Sequence, residues 1–227
     1  YGLNEKSNFR IKNIKFKSNI SIFDLEVNLP NQRKKIYKSF KIPLIGVHNI
    51  KNCSASIAVA IMMGISVNLI KKAIFKFKGV QRRFNYLFTY KKSIFVDDYA
   101  HHPTEIKEVL NGVKNVYNNK NIICVFQPHR VSRLKNLKKE FSLAFKKADM
   151  VLLCPIFKAG ENIKLGFSYN EFAKTIIKNS KVKLFLINDH YDLAKFIKQN
   201  VYGEKIVIGM GAGSISNWMK QLPNLLK

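Results

Sequence analysis

The sequence predicts an α/β chain whose C-terminal part forms a doubly wound, mostly parallel sheet with helices on both faces. Three observations carry this. From residue 93 on, five near-continuous apolar runs recur: "SIFVDDY", "NIICVFQP", "DMVLLCP", "KVKLFLIN" and "EKIVIGMG". Strands buried on both faces read this way, whereas half-exposed strands alternate. Each run is followed by a helical pattern, and repeated β–α units imply parallel strands joined by crossover helices. The helix starts are marked as well. Pro103 suits a first turn, Ser168 with Glu171 fits a capping box, and Asp189 precedes "HYDLAKFI".

The first eighty residues follow another style. "IKNIKFKS", "ISIFDLEV" and "KSFKIPL" alternate apolar and polar, which predicts antiparallel strands with one wet face between residues 11 and 42. "GVHNIKNCSASIAVAIMMGIS" predicts a helix of about four turns closed by Gly64, and "SVNLIKKAIFKF" a shorter one. Gly79 and "QRRF" interrupt the pattern. The expected division is therefore residues 1–80 and residues 81–227.

Composition bounds the function. The chain has 227 residues, 47% hydrophobic and 24% charged, with no apolar run of the roughly 18 residues that a membrane span requires. No N-terminal stretch has the order of a signal peptide. Tyr1 opens a strand-like stretch, so the chain is expected to be a fragment or a processed product. Cys53, Cys124 and Cys154 are too far apart for a zinc motif and fit buried thiols in a reducing cytoplasm. The net charge of +26 comes almost wholly from lysines scattered over every segment. No basic cluster interleaves with aromatics, so the lysines read as solvated faces and no nucleic acid is expected as a partner. Arginine is the informative cation. Of six, four sit in two clusters, Arg82–Arg83 and Arg130–Arg133, where a planar fork serves what lysine cannot.

In an open parallel sheet, ligands sit beyond the carboxyl ends of the strands. "DDYAHHP", "QPHRVSR" and "GAGS" each follow a strand there. Any one reads equally as a capped turn, but three on one rim predict a site. Asp97 and Asp98 point to opposite sides in extended chain. A carboxylate at that edge suits ribose hydroxyls or a metal, and the other braces the next helix. His101 and His102 lack the spacing of a helical metal pair, and no metal site is expected. Arg130 and Arg133, three apart, would share a helix face as a clamp for a carboxylate or phosphate. "GMGAGS" reads as an anion-binding turn or as a plain tight turn. No Gly-x4-Gly-Lys-Ser/Thr sequence occurs. In the first part, His48 and Asn49 open a helix and Asn52 lies one turn on, facing an adenine edge or serving as cap and surface.

"GVHNIKNCSASIAVAIMMGI", "FKGVQRRF", "VDDYAHHPTEI", "VFQPHRVSR", "PIFKAGENI" and "MGAGSI" occur in that order. Together they resemble the Mur ligases, and within them the members that join L-alanine to UDP-N-acetylmuramate. The resemblance runs over essentially the whole chain. Members that recycle a tripeptide onto the same nucleotide sugar share the Asp-Asp and His-His-Pro signals but differ at "FQPHRVSR". The resemblance implies the later half of a central ATP-binding domain, lacking its P-loop, for residues 1–80. It implies a complete Rossmann-like C-terminal domain for residues 81–227. A missing N-terminal half would hold the UDP-sugar site, the P-loop and the main magnesium ligands. The implied activity is ATP- and Mg2+-dependent amide formation through an acyl phosphate in peptidoglycan precursor synthesis, in the cytoplasm. The chain alone would be inactive, or a non-catalytic remnant or binding module. The resemblance puts His48, Asn49 and Asn52 on adenine, Arg83 near phosphates or ribose, and Asp98 on ribose. His101, His102, Arg130 and Arg133 would line the amino-acid side.

Overall fold

Alternation in the first 42 residues becomes three antiparallel strands, β1 (Phe9–Lys17), β2 (Ile20–Val27) and β3 (Lys35–Ile42), in the order β1-β2-β3. The computed structural model describes residues 1–17, 20–77 and 79–227. Both strand pairings slip in register, near Asn13 and near Asp24. Asn13 and Ser39 have positive φ at these points, and Asp24 takes hydrogen bonds from the Asn13 side chain and the Ser39 N–H, at 2.8 and 2.7 Å. One carboxylate thus organises both irregularities.

Two helices follow, α1 (Val47–Met62) and α2 (Val67–Lys76). Ile50, Ser54, Ile57 and Ala58 of α1 are buried, the i, i+4, i+7, i+8 stripe of a core-facing helix. Ile50, Ile57 and Ala58 join Phe23, Leu25, Phe40 and Ile42 in one core. Gly64, at φ 81, closes α1 as expected, with the Ile65 N–H reaching back to Ala60 O at 3.0 Å.

The later part builds a six-stranded sheet from β4 (Asn85–Tyr90), β5 (Ser93–Asp98), β6 (Asn121–Phe126), β7 (Met150–Leu153), β8 (Lys183–Leu186) and β9 (Lys205–Met210). The order is β4-β5-β9-β6-β7-β8. The five expected strands are parallel, and β4, which the apolar runs did not reveal, adds an antiparallel edge against β5. β5, β6 and β9 are almost wholly buried. β8 departs from the both-faces-covered reading: it is an edge strand, with Phe185 and Leu186 exposed.

The crossover helices are α3 (Pro103–Val116), α4 (Val131–Asn136), α5 (Lys138–Leu143), α6 (Tyr169–Ser180) and α7 (His190–Asn200), with α8 (Ile215–Leu225) after the last strand. The Ser168 and Asp189 side chains accept from the first turns of α6 and α7. Phe95, Val125, Leu152 and Val207 pack with Leu193, Ile197, Ile215 and Met219 in the core. Among the described residues no helix is long and apolar enough to cross a membrane.

The chain divides into two compact units, Tyr1–Gly79 with Asn115–Asn118, and Val80–Lys114 with Asn119–Lys227. They differ in how much apolar surface they leave in water. In the first, Val59, Met62, Leu69 and Phe75 are exposed on just two helices, and Met63 just after the first of them. The second encloses its central strands on both faces. Limited proteolysis is therefore expected to leave a resistant piece spanning roughly residues 84–227 and to degrade residues 1–80. A compact N-terminal piece surviving in its place would overturn this.

Candidate active site at the carboxyl rim

The strand order decides where the rim residues meet. β9 lies between β5 and β6, and Asp98 pairs with Met210, which pairs with Phe126. The three strands end level, so the turns that leave them are neighbours. The strands are out of sequence order here, β9 lying between β5 and β6, and open α/β sheets bind ligands beyond the carboxyl ends of their strands.

At the end of β5 both carboxylates are buried, Asp97 at 1% and Asp98 at 2% exposure. They divide as extended chain requires. The Asp97 Oδ2 accepts from the Ser216 hydroxyl at 2.6 Å and lies 3.5 Å from the Arg82 Nε. Its Oδ1 has no hydrogen-bond partner among the described residues. Asp98 accepts from two backbone N–H groups, Phe84 and Ala100, both at 2.8 Å. Burial pushes the Asp98 carboxyl up to about 6, against the pull of those two N–H groups and Arg83. Asp98 therefore stands behind the rim, tying the turn before β4 to the turn after β5.

Arg82 makes the second tie. Its Nη2 donates to the Gly211 carbonyl at 2.5 Å, and its guanidinium lies over the Tyr99 ring at 4.7 Å. Arg83 also lies over Tyr99, at 5.8 Å, and 3.9 Å from the Glu105 carboxylate.

The two histidines take different tasks. His101 directs its Nδ1 to the Tyr99 carbonyl at 2.9 Å and sets its ring edge against His129, centroids 5.7 Å apart. His102 caps α3: its Nδ1 accepts from the Thr104 N–H at 3.3 Å, and Glu105 accepts from the His102 N–H at 3.1 Å. That is the reciprocal capping arrangement with histidine as the cap. Burial raises the Glu105 carboxyl, but the N–H groups of His101 and His102 outweigh it and hold the group below its ordinary value.

The turn after β6 corrects one expectation. Arg130 and Arg133 do not share a helix face, because Arg130 precedes α4 as its N-cap residue, with φ 70 and ψ 132. Its side chain is exposed. Arg133 lies in α4 and donates through Nη1 to the Nδ1 and carbonyl of His129, each at 3.3 Å. Guanidinium can only donate, so His129 Nδ1 accepts and its proton sits on Nε2. Burial, together with His101, Arg133 and Arg130, lowers the His129 pKa below its ordinary value and favours this neutral form. Contacts thus run from Arg83 through Glu105, His101 and His129 to Arg133.

The glycine turn after β9 is occupied internally. The Gln127 Oε1 accepts from the Ile215 N–H at 3.0 Å, and its amide donates to Ser214 at 3.0 Å. A Cβ on Gly211, at φ 148, would lie 2.7 Å from Gln127 O. Of the two readings of "GMGAGS", the tight turn fits and an anion pocket does not.

The remaining candidates lie in the first unit. His48 and Asn49 occupy the first turn of α1, with Asn52 one turn on and exposed. The Asn49 amide donates to Ile45 O at 2.8 Å. Gly46 precedes them at φ 100, and a Cβ there would lie 2.7 Å from the His48 ring. Both the backbone and the ring demand glycine.

Sequence reasoning passed over Arg82, Glu105, Gln127 and His129 as site residues. The paired arginines and the first polar residue after β6 were the available signals. Among the described residues, no three His, Cys, Asp or Glu side chains gather as a metal site.

A sequence profile described as "Mur ligase, glutamate ligase domain" matches residues 82–213, from Arg82 through the glycine turn. The chain belongs to the Mur ligase family. UDP-N-acetylmuramate–L-alanine ligase of Pelagibacter ubique is 62% identical over 100% of this chain and 49% of its own length. The same-named protein of Bartonella tribocorum is 36% identical over 100% of the chain and 48% of its own length. The chain spans about half the length of the curated relatives it matches. The crystal structure of UDP-N-acetylmuramate-alanine ligase from Thermotoga maritima superposes with TM-score 0.78 at 25% identity, over 97% of this chain and 46% of that one. A murein peptide ligase from Psychrobacter arcticus shares the fold, with TM-score 0.66 at 19% identity, covering 99% and 45%. These Mur ligases are therefore about twice as long as the segment described.

The raised Asp98 pKa sets a sign for stability. The folded state holds its proton up to about pH 6, while the unfolded chain releases it near the ordinary 3.8. Between those values the folded state binds more protons, so stability falls as pH rises. Denaturant unfolding of wild type and D98N from pH 4 to 7 is expected to show wild type losing about 1–3 kcal/mol relative to the variant. A pH-independent difference would place the ionised carboxylate at no disadvantage in the fold.

Proposed function

We propose that this chain supplies the amino-acid half of the site in an enzyme that joins L-alanine to UDP-N-acetylmuramate at the expense of ATP. One observation carries the reading: 62% identity over the full length of this chain to a ligase of that name. The rim geometry supports it. Two arginines after one strand, Arg130 just before α4 and Arg133 within it, stand beside the neutral His129 and offer forked donors to the carboxylate of a free amino acid. Among the described residues neither makes a salt bridge, although Arg130 lies near enough to Glu161 to lower its pKa.

In the proposed reaction, the muramyl carboxylate attacks the γ-phosphorus of ATP. A carboxyl oxygen–phosphorus bond forms and ADP leaves. The neutral amine of L-alanine attacks the acyl carbon, loses its proton, and phosphate departs from the tetrahedral intermediate. Arg130 and Arg133 hold the alanine carboxylate, and His101 and His102 shape the same side. His48, Asn49 and Asn52 serve the adenine, with Arg83 toward phosphates or ribose. Asp98 accepts one backbone N–H on each oxygen, from Phe84 and Ala100, and the remaining lone pairs would serve ribose hydroxyls.

The 227 residues carry no P-loop sequence to position a γ-phosphate. By themselves they are expected to release no phosphate from ATP that depends on both UDP-N-acetylmuramate and L-alanine. Joined behind the N-terminal half of the Pelagibacter ubique relative, they are expected to do so. Turnover by the chain alone, or none by the hybrid, would count against the assignment.

In the hybrid, R130K and R133K are each expected to raise the KM for L-alanine about tenfold to a hundredfold, the cost of one bidentate contact to a charged group. The KM for ATP should stay within about twofold. An equal rise in both would assign these arginines to the phosphates.

A further inference from the structure

Arg130 stands at the N-cap position of α4, where a serine, threonine, asparagine or aspartate would ordinarily satisfy the first N–H groups. An arginine has no acceptor, and its side chain makes no capping bond. The missing acceptor comes from Glu161, on the long loop between β7 and α6. Its Oε2 accepts from the Ser132 N–H at 3.0 Å, and its Oε1 accepts from the Ser132 hydroxyl at 2.6 Å. Both oxygens meet Ser132, the second residue of α4, and the Val131 N–H before it also bonds the carboxylate. The Ser132 bonds, the Val131 N–H and, least, the charge of Arg130 hold the Glu161 carboxyl below its ordinary value.

The same loop grips the turn at a second point. Phe157 accepts from the Arg130 N–H and donates to the Pro128 carbonyl, both at 2.8 Å. Its ring stacks on His129, centroids 5.5 Å apart and planes 12° apart. His129 in turn supplies both acceptors for Arg133. The backbone of Arg130 is also in a region that non-glycine residues rarely occupy, so the turn needs outside support to keep it there.

We infer that Glu161 is a positioning residue for the amino-acid side of the site: it caps α4 from a distant loop, so that position 130 can carry a guanidinium in place of a capping side chain. The inference rests on the proposed function for its chemistry, and on the hydrogen bonds alone for its geometry. Glu161 touches neither substrate nor reacting atoms. It acts by fixing the separation and aim of Arg130 and Arg133.

Two measurements separate these layers. On the 227-residue chain, amide hydrogen exchange followed by NMR reads the turn directly. E161A is expected to speed Ser132 exchange about fivefold to thirtyfold, the usual effect of losing a cap. The Arg130 amide, bonded to Phe157 O, should change little. E161Q keeps an oxygen for the Ser132 N–H and an amide for the hydroxyl, and should restore most protection. S132A, which removes only the hydroxyl bond, should fall between, and it decides the matter if E161A fails to fold. In the hybrid ligase, E161A is expected to raise the KM for L-alanine by a similar factor, with the KM for ATP unchanged and E161Q close to wild type. Unchanged Ser132 exchange in E161A and S132A would overturn the inference. So would faster exchange with an unaltered KM for alanine, or an equal rise for both substrates. A wild-type hybrid without alanine-dependent turnover would instead defeat the proposed function, leaving the exchange result to decide the positioning of the turn.

Discussion

The placement of β9 between β5 and β6 governs the rest of the second unit. A last strand inserted in the middle of the sheet brings three connections that are far apart in sequence to adjoining positions, and the level register of Asp98, Met210 and Phe126 makes them start at one height. Everything polar then has to be reconciled in a narrow space. Arg82 bonds across to Gly211, Gln127 to Ser214 and Ile215, and Ser216 to Asp97. The first joins the turn before β4 to the exit of β9, and the others join the exit of one strand to the exit of another. The rim is held by cross-links between turns as much as by the strands beneath.

That arrangement explains why buried carboxylates are tolerated at the edge of an apolar core. Asp98 is satisfied by backbone N–H groups on both oxygens. Asp97 shares its burden between a hydroxyl and a guanidinium. A buried charge without such partners would cost several kcal/mol. The adjacent aspartates therefore work as fasteners on opposite sides of one strand end, whatever else a bound nucleotide asks of them.

Much of this was legible beforehand, for physical reasons. Strands covered on both faces must be continuously apolar, so β5, β6, β7 and β9 announced themselves, and Ser168 and Asp189 marked helix starts through the chemistry of capping. β4 was hidden because "NYLFTY" is short, partly wet and pairs only on one side. β8 looked like a core strand but lies at the edge, since a run of apolar residues does not say how many neighbours it has. The arginine clusters pointed to the rim, yet their arrangement did not follow from spacing. Whether Arg130 sits in a helix depends on Phe157 and Glu161, some thirty residues away, which no local pattern encodes. His102 acting as a cap, and Gln127 filling a turn that resembled an anion nest, are likewise choices made by neighbours in space.

The backbone of Arg130 has a consequence for how this segment can change over generations. At φ 70 and ψ 132, a β-branched residue is rejected by sterics, while glycine, the smallest residue, would relax the chain. Local comfort and side-chain chemistry thus pull the position in opposite directions. A lineage freed from the need for a guanidinium there should drift readily toward glycine. In relatives, the identity at this single position would then report whether the surrounding rim is still under selection for an anion.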